Sequence, residues 1–260
     1  LCSGSTCQLL PQQGLFEALC SEISEATPIV FKLTPAHLSV VNDLYSRQFG
    51  FPSVVSQHVF VVGGDKLNSA TVRELKNICP MARVINEYGP TETTVGCCIH
   101  EIKELTEQVS EIAIGKPIRN TQLYVLNQDQ ELIPLGATGE LYIGGHGLAH
   151  GYLNRAVLTN EKFITPAASV TERFDTENNL LYRTGDLVKW LPNGELQFLG
   201  RKDTQLNRNG YRIEAGEIES QLAKVPGVIN SFVLQSESTN AGTRIVAYFV
   251  AHSEHIDSVL

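Results

Sequence analysis

Between Ile29 and Asn86, short apolar runs alternate with stretches whose apolar residues return every three or four positions. Ile29-Val30-Phe31-Lys32-Leu33 reads as a buried strand. Thr34 then caps a predicted helix from Pro35 to Tyr45, with Leu38, Val41, Leu44 and Tyr45 at helical spacing. The unit repeats. Val59-Phe60-Val61-Val62 is a strand ended by Gly63-Gly64, and Asn68 to Cys79 is amphipathic, with Val72, Leu75 and Cys79 on one face. Ala82 to Asn86 is the next strand. This alternation predicts an α/β fold, a parallel sheet covered by helices. Such sheets bind ligands beyond the carboxyl ends of their strands, which directs attention to the loops after Val62 and Ile85.

The middle of the chain has a different rhythm. Leu123 to Leu126 and Leu141 to Ile143 read as strands of a β-rich section, the first followed by the turn residues Asn127 to Gln130. Val188 to Leu191 and Glu195 to Leu199 flank Pro192-Asn193-Gly194, a hairpin signal. Thr165 to Asn179 is polar and irregular, and is expected to be an exposed loop. Past Gly200-Arg201-Lys202-Asp203 the pattern changes again. Glu214 to Lys224 predicts a helix stopped by Pro226-Gly227, and Val228 to Leu234 and Arg244 to Val250 predict strands of a small α+β unit. The boundary is placed between residues 202 and 203.

Composition narrows the classes. The 260 residues are 42% hydrophobic, enough for a core and too apolar for disorder. The net charge of −8 argues against sequence-independent nucleic-acid binding, which needs clustered cations. No apolar run reaches the ~18–20 residues of a membrane span. No basic-then-apolar leader follows Leu1, and the chain is expected to be a piece of something longer. Cys2, Cys7, Cys20, Cys79, Cys97 and Cys98 form no CxxC pair, so they are expected to be reduced, mostly buried thiols of a cytoplasmic protein.

Three segments gather chemistry-bearing side chains. Asn86 to Thr94 lies where a parallel strand ends, and Gly89-Pro90 forces a turn there. It can be a strand-to-helix turn capped by Thr and Glu. The other reading is a ring for a base and oxygens for phosphate and Mg²⁺. Gly139 to Tyr152 is glycine-dense, a tight structural turn or a phosphate cradle, but it lacks the P-loop lysine. Tyr182 to Asp186 places an Asp after a turn, suited to ribose hydroxyls or to capping.

Taken in order, Asn86–Glu92 (NEYGPTE), Gly115–Arg119 (GKPIR), Gly139–Leu153 (GELYIGGHGLAHGYL), Tyr182–Leu187 (YRTGDL) and Gly200–Glu219 (GRKDTQLNRNGYRIEAGEIE) resemble the adenylate-forming superfamily. The likeness is specifically to amino-acid adenylation domains of nonribosomal peptide synthetases. It implies a partial adenylate-forming fold, with residues 1–202 the C-terminal part of the large core and 203–260 part of the small C-terminal subdomain. It also implies ATP- and Mg²⁺-dependent activation of a carboxylate as an acyl-adenylate, then transfer to the phosphopantetheine thiol of a carrier domain. Peptidyl carrier and condensation domains of the same synthetase would be the partners. By motif match, Tyr88 would stack on adenine, Asn86 would bond its edge, and Gly64 would border the nucleotide. Thr91 and Glu92 would serve phosphate and metal, and Asp186 would hold the ribose. Phe198 would wall the nucleotide, Arg201 would contact its ribose–phosphate side, and Asp203 would be the hinge of the small domain. Catalysis of this kind leans on charge stabilisation rather than a protein nucleophile.

There are departures from the family pattern. Its phosphate loop is absent, Ser3-Gly4-Ser5-Thr6 imitating only the first half, and so is its C-terminal lysine. Leu206-Asn207 and Asn209 stand where the family has Val-Lys and, later, Arg. The fragment alone is therefore expected to be inactive. A stand-alone acyl- or aryl-coenzyme A ligase and a non-catalytic remnant are the alternative readings. By register with the motifs, Lys32, Val61, Gly63, Glu87, Val95 and Gly96 would line the amino-acid pocket. Lys32 can also be read as an exposed strand residue and Glu87 as a solvated turn. Paired in a pocket, they would select a side-chain amide, and the pattern resembles that used for L-asparagine, with aspartate and glutamine next.

Overall fold

Val30–Leu33 (β1), Val59–Gly63 (β2) and Arg83–Tyr88 (β3) lie side by side in parallel and in chain order. The computed structural model describes residues 4–49, 54–103, 105, 111–166, 170, 180–203, 205–208, 211–238 and 242–251. The sheet is mixed rather than purely parallel, because Cys98–Ile102 (β4) and Lys116–Pro117 (β5) extend it antiparallel. One face is covered by helices Leu15–Ile23 (α1), Pro35–Phe49 (α2) and Ser69–Ile78 (α3). Phe31, Leu33, Phe60, Val62 and Val84 point into that core and meet Leu38, Val41, Val72 and Leu75. Each such burial contributes about 1.5–3 kcal/mol, which fixes the register and so the opposite face too.

Local chemistry sets the helix starts. The Thr34 hydroxyl accepts the His37 N–H at 3.2 Å, and the Asn68 side chain accepts that of Ala70 at 2.8 Å. The second helix runs one turn past its predicted end at Tyr45, and α1 is an element that the periodicity did not single out.

The β-rich middle forms a second, antiparallel sheet, in which 196–201 pairs with 181–190, that with 138–145, and that with 121–126. Its strands are Thr121–Leu126 (β6), Thr138–Gly145 (β7), Leu181–Trp190 (β9) and Leu196–Arg201 (β10), with Phe163–Ile164 (β8) on β9 after helix Ala156–Lys162 (α4). Two expectations change here. The expected strand Leu141 to Ile143 extends over Thr138–Gly145, so only the part of Gly139 to Tyr152 beyond Gly145 turns, and Tyr182 to Asp186 is strand as well, with Gly185 at φ +77°. Within the expected loop 165–179, Thr165 is exposed but Pro166 and Val170 are buried; its other residues lie outside those described.

The two sheets share a core of Cys97, Cys98, Ile114, Val125, Leu141, Ile143, Val188 and Leu196. The backbone of Ile114 and Gly115 bonds that of Leu196. This seam places the end of β3 against β9 and β10. Beyond Asp203 come hairpin Gln205–Arg208 (β11) and Tyr211–Glu214 (β12), helix Ala215–Leu222 (α5), and hairpin Val228–Ser238 (β13) and Gly242–Ala251 (β14). They have their own cluster of Leu206, Ala215 and Val233. Cys20, Cys79, Cys97 and Cys98 are free and buried, Cys7 is free and exposed, and Cys2 lies outside the described residues. No helix among the described residues is long and apolar enough to cross a membrane.

Candidate active site

Asp186 and Arg201 are direct partners in the antiparallel register of β9 and β10, so their side chains meet by construction. Arg201 Nη1 donates to Asp186 Oδ1, with the two side chains only 18% and 8% exposed. Tyr88, at the end of β3, crosses from the other sheet and donates its hydroxyl to Asp186 Oδ2. Burial first, and Asp186 second, push the Tyr88 phenol far up, so it stays a donor. Arg201 also forks onto Asp203, with Nε on Oδ1 at 2.7 Å and Nη2 on Oδ2 at 2.8 Å, and reaches the Thr184 carbonyl at 3.0 Å. Burial would raise the Asp203 carboxyl, but Arg201 outweighs it and holds the group below its ordinary value. The rings of Tyr88 and Phe198 lie 6.3 Å apart at 38°, which makes one continuous aromatic wall. Tyr88, Asp186, Phe198, Arg201 and Asp203, far apart in the chain, thus form one connected group.

A second group sits on the sheet face away from the helices. Lys32 and Val61 are register partners, as are Gly63 and Glu87. Lys32 Nζ and Glu87 Oε2 are 2.5 Å apart, the side chains 53% and 18% exposed. A Cβ on Gly63 would lie 3.1 Å from Lys32 Nζ and 2.6 Å from the Glu87 carbonyl, and one on Gly96 2.7 Å from Glu87 Oε1. The ion pair therefore occupies room that only two glycines leave. Val95 is exposed at φ +65° beside Gly96.

Other residues stand apart. Asn86 alternates to the covered side of β3, is buried, and donates to the Ala113 carbonyl at 2.9 Å. In this structure it ties β3 to the strand seam and does not join the Tyr88 group. Gly64 follows Gly63 in the exposed turn, with φ +93°. Thr91, itself exposed, opens the 3-10 turn Thr91–Thr93. Glu92 is buried within that turn and accepts the Tyr152 hydroxyl at 2.5 Å. No group of three or more His, Cys, Asp or Glu among the described residues could hold a metal by itself. A single hard carboxylate such as Glu92 does fit Mg²⁺ that arrives on phosphates, since that ion uses one or two carboxylates and keeps its other oxygen ligands.

Sequence reasoning named no role for Tyr152, Glu140 or Lys202. Glu140, 5% exposed, binds Arg183 Nε at 2.8 Å and Lys202 Nζ at 3.1 Å, beside the predicted hinge. Burial alone would raise its pKa, and the two cations together hold it below the ordinary value. Cys97, against Tyr88, is pushed up to about 12 by burial and carries no thiolate chemistry.

Residues 1–153 match the family described as AMP-binding enzyme. The chain belongs to that family. It is 40% identical over 226 residues to bacitracin synthase 3 of Bacillus licheniformis, covering 86% of this chain and 3% of that protein. Tyrocidine synthase 1 of Brevibacillus parabrevis is 36% identical over 256 residues, 98% of this chain and 22% of that one. The solved structure of PA1221, an NRPS protein containing adenylation and PCP domains, superimposes with a TM-score of 0.72 at 28% identity, covering 95% of this chain and 47% of that chain. This AMP-binding chain is thus similar to nonribosomal peptide synthetase adenylation domains, and it spans about half or much less of the relatives it matches.

Proposed function

We propose that this chain supplies the C-terminal part of a domain that activates L-asparagine with ATP as the aminoacyl-adenylate and delivers it to a carrier-domain phosphopantetheine thiol. The observation that carries the reading is the Lys32–Glu87 pair seated over Gly63 and Gly96 and next in sequence to Tyr88. A side-chain amide satisfies both members, its carbonyl accepting from Lys32 and its NH₂ donating to Glu87. A carboxylate would face Glu87 as a like charge, and a cation would face Lys32. Glutamine, one methylene longer, is discriminated by only about 1–3 kcal/mol.

On the nucleotide side, the Tyr88–Phe198 wall offers a stacking surface. Asp186, oriented by Tyr88 and Arg201, keeps acceptor capacity for ribose hydroxyls. Thr91 and Glu92 lie at the turn where phosphate and Mg²⁺ would be held, and the metal when bound would offset negative charge on the phosphates. Residues 203–260 would form the small subdomain, in line with their separate cluster, and turning about Asp203 would break its fork with Arg201. Peptidyl carrier and condensation domains are the proposed neighbours, in the cytoplasm.

The test is amino-acid-dependent ATP–pyrophosphate exchange by the complete domain containing this chain, across the proteinogenic amino acids. Strong exchange with Asn is expected. Strong exchange with an apolar or aromatic amino acid, and none with Asn, sinks the assignment.

A further inference from the structure

The glycine-dense segment ending at Tyr152 has no part in the chemistry so far, yet it is laced to the turn that carries Glu92. The Ala149 N–H donates to the Glu92 carbonyl at 2.8 Å, and the Thr94 hydroxyl to the Gly147 carbonyl at 2.7 Å. A Cβ on Gly147 would stand 2.9 Å from the Thr93 carbonyl, so this approach needs glycine. Tyr152 completes the contact by donating its hydroxyl to Glu92 Oε1. The tyrosine is itself fixed. Its N–H donates to Thr159 Oγ1 at 2.9 Å, and its ring meets that of Phe163 edge-on at 5.9 Å. Glu92 is thereby held at backbone and carboxylate by one neighbouring segment.

We propose that Tyr152 is a positioning residue, which orients the Glu92 carboxylate so that its remaining acceptor capacity meets the nucleotide-borne metal. The inference rests on the reading of Glu92 as the metal-serving group. An ordered hydroxyl bond removes the carboxylate's rotational freedom before the ligand arrives, which is how outer partners tune metal ligands elsewhere.

The test compares Tyr152→Phe with wild type in the complete adenylation domain containing this chain. Two quantities are read: Mn²⁺ affinity in the presence of ATP, by electron paramagnetic resonance, and the Mg²⁺ concentration giving half-maximal ATP–pyrophosphate exchange. The phenylalanine ring keeps the packing on Phe163 and loses only the hydroxyl. Both constants are expected to weaken roughly tenfold, with the KM for the amino acid unchanged. Thr159→Val, which removes the acceptor of the Tyr152 N–H, is expected to shift them less in the same direction, and it serves if the Phe variant does not fold. Tyr182→Phe deletes the hydroxyl 3.5 Å from that of Tyr152 and spares the Glu92 bond, so it should leave both constants unchanged. Wild-type metal constants in Tyr152→Phe and Thr159→Val, or an equal loss in Tyr182→Phe, would overturn the proposal. Glu92→Gln separates the two layers. If it too leaves Mn²⁺ affinity unchanged, Glu92 holds no metal and the inference falls with that reading. If it weakens the affinity while Tyr152→Phe does not, the role of Tyr152 alone falls.

Discussion

The two halves of the candidate site are built in opposite ways. The Tyr88–Asp186–Arg201–Asp203 group is largely buried, draws on both sheets, and gives each charged member two or more partners. The Lys32–Glu87 pair stands half exposed on one sheet face, its room made by glycines. A buried network is costly to alter, because a member left without its partner keeps its full desolvation penalty. An exposed pair is worth only ~0.2–1 kcal/mol and can be exchanged with little effect on folding. The first arrangement suits a ligand that never changes, the second a selectivity that can be rewritten residue by residue.

The hardest blow to this contrast is Asp186→Ala. It strands Tyr88 and one arm of Arg201 in a buried site, and should cost about 3 kcal/mol in urea unfolding of the complete domain while abolishing measurable exchange. A variant with wild-type stability would show that the network is not the rigid half. Next in size is Gly63→Ala, whose Cβ would press on the Glu87 carbonyl, a backbone atom that cannot swing away. The three atoms nearest a Cβ on Gly96 all belong to the Glu87 side chain, so Asn-dependent exchange should fall in both variants but melting temperature chiefly in Gly63→Ala. Equal thermal losses would contradict the division between rigid backbone and movable side chain.

Glu87→His should move preference from Asn towards Asp, with stability changed by less than about 1 kcal/mol. Unaltered Asn selectivity in the exchange assay would mean that Glu87 does not touch the substrate. The smallest effect concerns pH. Arg183 and Lys202 keep Glu140 ionised below its ordinary 4.5, so its folded-state pKa is depressed. Its contribution is present above the unfolded value and is lost as pH falls through the folded one. Glu140→Gln should therefore flatten the decline of stability with acid below about pH 4.5, read from melts in a pH series. An unchanged slope would mean that Arg183 and Lys202 do not stabilise the Glu140 carboxylate in the folded chain.

The strands, the capped helices and the Pro192-Asn193-Gly194 hairpin were legible because each rests on near neighbours in the chain: Thr34 on His37, Asn68 on Ala70. The grouping of Lys32, Gly63 and Glu87 was named from motif register, and they do meet on adjacent strands. Glycine density misled at Gly139, Gly144 and Gly145, which flank the expected strand Leu141 to Ile143. There the residues lie in a central strand, and a single-residue preference for turns yields to pairing on both sides.

By itself, then, the sequence determined the periodicity, the caps, the family motifs and the unusual cation in β1. It could do so because these depend on spacing within one segment. Tertiary structure alone decided that Asn86 turns to the seam while Glu87 turns to Lys32, since alternation along β3 takes its sense from which face the helices cover. It alone decided that Tyr88 meets Asp186 across 98 positions, and that Tyr152 grips Glu92 across 60. Such contacts exist only once burial of apolar residues has brought the two sheets together, and no local pattern encodes them.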